Sequence, residues 1–106
     1  MPVEFIYGED RLTAVLKGDI DHHSAAEMRV MIDGELERTM PKLLLLDFAE
    51  VGFMDSSGIG LILGRRRKIT AWGGKAWILK PTALVRKILK ISGLENLIYK
   101  SERREG

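Results

Sequence analysis

Four consecutive leucines, Leu43-Leu44-Leu45-Leu46, limit what this chain can fold into more than any other feature. Pro41 stands before them and an Ala49-Glu50 turn follows, so the run has the length of a strand and is short for a helix. An apolar strand with no polar alternation is expected to be buried on both faces. That places it centrally in a sheet, with helices over both sides.

The flanking sequence supplies the other elements. Val3 to Tyr7 and Leu12 to Leu16 read as a hairpin across the polar turn Gly8-Glu9-Asp10, the second strand alternating with a period of two. Gly18-Asp19-Ile20-Asp21 ends that strand. Ala25, Met28, Ile32, Leu36 and Met40 then recur every three or four residues, which predicts one buried helix face closed by Pro41. Ser24 and Glu27 have capping-box spacing, with Asp21 a competing N-cap one turn earlier.

A second helix starts near Ser56 or Ser57 and runs to about Ala71, with Ile59, Ile62, Leu63 and Ile69 on its apolar side and Gly73-Gly74 as its stop. Ala76 to Leu79 is a further strand. Pro81-Thr82 opens a third helix, with Leu84, Val85, Ile88 and Ile91 expected inside and Gly93 ending it. Leu97 to Tyr99 is a last strand or an extended tail, and Ser101 to Gly106 a polar, frayed end. The order predicts an α/β fold: a small mixed, partly parallel sheet flanked by α-helices, in one domain over 1–106.

Bulk properties remove several function classes. At 45% hydrophobic and 30% charged residues the chain is no candidate for disorder. Seventeen Lys and Arg against fifteen Asp and Glu leave +2, too little to call for nucleic acid or an anionic membrane. Cysteine is absent, which removes disulfides, thiolate metal sites and cysteine nucleophiles. The N-terminus lacks a secretion signal and no apolar run spans a membrane, so a cytoplasmic protein is expected.

The candidate chemistry is correspondingly narrow. Gly58, Gly60 and Gly64 miss the dinucleotide spacing and lie too far from the preceding strand, so they read as close-approach residues. No Gly-Lys-Ser/Thr loop or Gly-x-Ser-x-Gly elbow occurs. His22 and His23 are adjacent and diverge on a helix, so no metal site, cofactor or triad is expected. Arg65-Arg66-Arg67-Lys68 reads as a solvated helix end, suited to an acidic protein surface more than to nucleic acid.

Asp55-Ser56-Ser57-Gly58 remains. Asp and Ser are ordinary N-cap residues, because their oxygens accept from unpaired helix amides. An apolar and expectedly exposed approach, Val51-Gly52-Phe53-Met54, leads straight into these hydroxyls. Phosphorylation would add about −1.5 to −2 there, a charge that helix amides can hold without refolding but that would repel a docked partner.

At these residues the chain resembles a known family. Asp21-His22-His23-Ser24-Ala25-Ala26-Glu27, Phe53-Met54-Asp55-Ser56-Ser57-Gly58-Ile59-Gly60, Leu63-Gly64-Arg65, Gly73-Gly74 and Ser92-Gly93-Leu94 are together similar to the anti-sigma factor antagonists of the STAS domain family. That resemblance implies a non-enzymatic protein whose unphosphorylated form binds an anti-sigma factor serine kinase and frees its sigma factor. The kinase, using ATP, then phosphorylates the first serine, here Ser56, and a serine phosphatase restores it. It further implies a docking surface built from Asp21, His22, His23, Asp55, Ser56, Ser57, Gly58, Gly60 and Leu61. Family members commonly continue into another C-terminal helix, which is expected to be short or absent here. The rival reading is a STAS scaffold or assembly subunit that no kinase modifies.

Overall fold

The computed structural model describes residues 1–100, and the expected frayed end at 101–106 lies outside them. The elements run β1 (Val3–Gly8), β2 (Arg11–Lys17), α1 (His22–Thr39), β3 (Leu43–Glu50), α2 (Ser56–Thr70), β4 (Lys75–Leu79) and α3 (Ala83–Ile91), followed by a 3₁₀ turn at Glu95–Leu97. The sheet order is β1-β2-β3-β4, with β1 antiparallel to β2 and the other two pairings parallel. The leucine-rich strand is thus internal, as its composition demands.

Register fixes which side chains share a face. Leu12, Leu44 and Ala76 pair in a row, as do Ala14, Leu46 and Ile78. This face is the core, and the inner residues of all three helices join it, including Met28, Ile32, Leu36, Ile62, Ile69, Val85 and Leu89. Each large aliphatic side chain buried this way contributes about 1.5–3 kcal/mol. The burial of the leucine run is unequal. Leu44 and Leu46 are sealed, whereas Leu45 faces the opposite side outside the main core cluster, and Leu43 is only half-buried. On that opposite face Thr13, Val15 and Trp77 are half-buried and Ile6 is exposed. The expectation of a strand buried on both faces, with helices over both sides, is corrected accordingly.

Three other details depart from the periodicity. Met40 is not on the buried face of α1: it is the C-cap, left-handed at φ 43°, and exposed. In α3 the inner pair is Val85 and Leu89, with Ile88 half-buried, while Leu84 and Ile91 face outward. Nine residues make too short a helix for four apolar positions to distinguish neighbouring faces. Leu97 to Tyr99 is neither full strand nor free tail, since Ile98 bridges Ile78 and the Tyr99 N–H donates to the Ile78 carbonyl at 2.7 Å.

The stop after α2 behaves as its glycines require. Gly73 adopts φ 81° and the Gly74 N–H donates to the Ile69 carbonyl at 3.0 Å, closing the helix end. A Cβ on Gly74 would stand 2.5 Å from the Ile69 side chain.

Candidate functional site

The two loops that precede α1 and α2 are laced together. The Ile20 N–H donates to the Phe53 carbonyl at 2.9 Å, and the Asp55 N–H donates to the Ile20 carbonyl at 3.1 Å. The Gly18 N–H reaches the Glu50 carbonyl at 3.1 Å. Parallel β2 and β3 end at the same edge of the sheet, so their following helices start side by side. Asp21 and Asp55, each one residue beyond the Ile20–Met54 bridge, are the N-caps of α1 and α2.

Each cap is made by its own chemistry. The Ser24 N–H donates to the Asp21 carboxylate at 2.9 Å, and the Asp21 N–H donates back to the Ser24 hydroxyl at 3.0 Å, a reciprocal capping box. Of the two starts open from sequence, the earlier one holds, with Ser24 rather than Glu27 completing the box. The Ser24 backbone bond first, and its hydroxyl second, hold the Asp21 carboxyl below its ordinary pKa. In the second cap the Ser57 N–H donates to the Asp55 carboxylate at 2.8 Å. Ser56 is therefore the first residue of α2, and it is exposed.

Only part of the apolar approach is outside. Gly52 and Phe53 are exposed, whereas Val51 and Met54 are in the core. Gly58 is buried against Met54: a Cβ there would lie 2.5 Å from the Met54 sulfur and 3.1 Å from its Cβ. Gly60 and Gly64 have open space instead. The glycines of α2 thus divide into one that packs inward and two that leave room outside.

That room is a groove of about 380 Å³ between α1 and α2, lined by His22, Ala25, Ala26, Arg29, Ser57, Gly60, Leu61, Gly64 and Arg65. Of the residues expected to dock a partner, His22, Ser57, Gly60 and Leu61 line it, and Asp21, Asp55 and Ser56 stand at its loop end. Leu61 contributes only a floor, being 3% exposed. His23 does not line the groove; it is exposed, with its ring 3.9 Å from the Glu27 carboxylate.

Arg29 and Arg65 are groove residues that the sequence did not single out for this role. Arg29 lies one helical turn beyond Ala25, a spacing that could have found it. Arg65 corrects the reading of the basic run as a solvated face. It is 7% exposed, with its Nε 2.7 Å from Asp33 as a close charge pair rather than an aligned hydrogen bond. Burial pulls the Arg65 guanidinium below its ordinary pKa, opposed by the Asp33 charge. Lys68 pairs with Glu37 at 2.7 Å, so two of the four cations stitch α2 to α1. No metal-holding cluster of His, Asp and Glu occurs among the described residues, and no described helix is long and apolar enough to cross a membrane.

The STAS domain model matches residues 7–105. The chain belongs to the STAS domain family. A relative named anti-sigma F factor antagonist, from Lysinibacillus sphaericus, is 35% identical over 86 residues, covering 79% of this chain and 74% of its own. The fold is that of the anti-sigma factor antagonist SpoIIAA in its unphosphorylated form, at a TM-score of 0.83 and 29% identity over 95% of this chain and 89% of that one. The Bacillus cell fate determinant SpoIIAA in its phosphorylated form matches at a TM-score of 0.74 and 28% identity, over 95% and 92%. As a STAS domain of this kind, the chain is a regulatory binding protein rather than an enzyme.

Proposed function

We propose that this STAS domain is an anti-sigma factor antagonist switched by phosphorylation of Ser56. The observation that carries the reading is the exposed Ser56 at the first position of α2, beside the paired loops that bring both helix starts together. Unphosphorylated, the domain docks an anti-sigma factor that is an ATP-using serine kinase, and the sigma factor held by that kinase is released. The docking surface comprises Asp21, His22 and His23 from the start of α1 with Asp55, Ser56, Ser57 and Gly60 from α2. Gly58 and Leu61 act beneath it, by seating the helix on the core.

Phosphorylation places about −1.5 to −2 next to the Asp55 carboxylate, in a surface that has to lose water on docking. Helix amides accommodate the charge, so the fold persists while the complex does not. A serine phosphatase resets the switch. The setting is the cytoplasm, and the similarity to an anti-sigma F factor antagonist points to sporulation as the programme served.

Binding of Ser56 variants to the kinase tests this. Ser56→Ala retains the kinase and accepts no phosphate, while Ser56→Asp binds at least tenfold more weakly, or about 1.4 kcal/mol. Equal binding by both variants would remove the switch.

A further inference from the structure

The charges of this chain are segregated to a degree that its net +2 conceals. Residues 1–55 carry five Lys and Arg against twelve Asp and Glu; residues 56–100 carry ten against one, Glu95. Pairing removes some of this excess, as Arg65 and Lys68 are matched to α1 and Lys80 lies 3.8 Å from Asp47. Arg66, Arg67, Lys75 and Lys100 are exposed and have no carboxylate within ion-pair distance among the described residues.

Those four cations line one continuous trough. It begins on α2, where Leu63, Arg67 and Ala71 border a hollow of about 450 Å³. Arg66 and Thr70 belong to this hollow and to the next, of about 260 Å³, which reaches Lys75 and Trp77 on β4. Trp77 and Asn96 in turn lead into a third, of about 300 Å³, with Tyr99 and Lys100. Among the described residues no Asp or Glu lines any of the three. Ile98 and Leu97 supply apolar floor, and β4 is the edge strand of the sheet.

We infer that this trough is a second docking site, for an extended acidic segment of a partner protein that carries apolar or aromatic anchors. Cations at intervals along an apolar bed fit carboxylates separated by anchoring side chains. A single nucleic-acid strand fits less well. Trp77 and Tyr99 lie against each other, centroids 6.3 Å apart and tilted at 56°, rather than spaced as platforms for successive bases. The acidic first half of the chain would also repel a long polyanion. Arg66 stands ten residues along α2 from Ser56, about 15 Å at the helical rise. A segment held in the trough therefore remains bound whether or not Ser56 carries phosphate.

The site can be read with a fluorescein-labelled twelve-residue peptide of Glu and Asp with two Leu and one Phe. Its controls are the Lys-substituted counterpart and an oligothymidylate of twelve nucleotides. Backbone amide and Trp indole NMR shifts of the full chain should move at Arg66, Thr70, Lys75, Trp77 and Tyr99 with the acidic peptide alone. The double charge reversal Arg66→Glu/Lys75→Glu, on two exposed positions, should weaken that binding at least tenfold with an unchanged circular dichroism spectrum. Ser56→Asp should bind the peptide as the unmodified chain does, which separates this site from the switch. Shifts confined to the α1–α2 groove, equal binding of the Lys peptide, or tighter binding of the oligonucleotide at the same residues would each overturn the inference.

Discussion

Gly58 and Gly60 lie two residues apart on α2 and should respond unequally to the same added methyl group. In open space, alanine favours a helix over glycine by up to about 1 kcal/mol. At Gly60 nothing lies within 4 Å of the new Cβ, so Gly60→Ala should gain most of that amount. At Gly58 the methyl meets the Met54 sulfur at 2.5 Å and both Met54 Cβ and Cγ at 3.1 Å. The sulfur is the mobile end, but Met54 is 1% exposed and its Cβ is anchored to the backbone bridging Ile20. Overpacking of this kind costs about 1–3 kcal/mol, which cancels or exceeds the helical gain. The two variants should therefore differ by about 1–3 kcal/mol in urea unfolding, with about 4–8 °C in Tm for each kcal/mol. Equal stabilisation of both would show that Met54 swings aside freely and that Gly58 is no seat for the helix.

Further outcomes follow from the same geometry. Asp33→Ala leaves the buried Arg65 without its partner and should cost about 2 kcal/mol, below the ~3–5 of a sealed pair because Asp33 keeps 21% exposure. The double variant Asp33→Ala/Arg65→Met should recover part of that loss in the same unfolding assay, and no recovery would mean that the charge was not the cause. Met40→Gly relieves a left-handed residue at an exposed C-cap and should raise stability by roughly 0.5–1 kcal/mol. The Asp21 carboxyl, depressed by the Ser24 backbone and hydroxyl, lends stability that is complete above its ordinary pKa of 3.8 and lost as pH falls through the lowered folded value. NMR titration of the carboxyl carbon should show that lowered value, and Ser24→Ala should move it up; an ordinary titration in the unmodified chain would refute the cap.

Much of this molecule was legible in its sequence because its strongest signals are local. The leucine run after Pro41 had the length of a strand and became an inner one, although β3 continues through Ala49 and Glu50 where a turn was expected, and Gly73-Gly74 marked the end of α2. Asp21 was one of two candidate starts for α1, and the Asp55-Ser56-Ser57 run bracketed the start of α2 by residue type. The groove beside them was partly readable, through His22, Ser57, Gly60 and Leu61, whereas Arg29 had only its spacing from Ala25 as a signal and Arg65 had none. Their placement depends on how α1 and α2 pair, and a charge run on paper does not reveal which cation has a carboxylate across the seam. The outward turn of Leu84 and Ile91 was hidden for a related reason, since in a short helix the neighbouring core decides which apolar face is used. Likewise the segregation of charge is plain in the residue counts, while the trough that gathers it exists only after β4 is laid beside α2.

The switch itself is tested most directly by mixing the protein with an anti-sigma serine kinase, its bound sigma factor and ATP, then following intact mass, modified site and sigma release together. The account predicts early release of the sigma factor, then gain of a single phosphate mapped to Ser56 and dissociation of the antagonist on the same time course. Phosphate on Ser57 or a distant residue, or a complex that persists after Ser56 is fully modified, would contradict it.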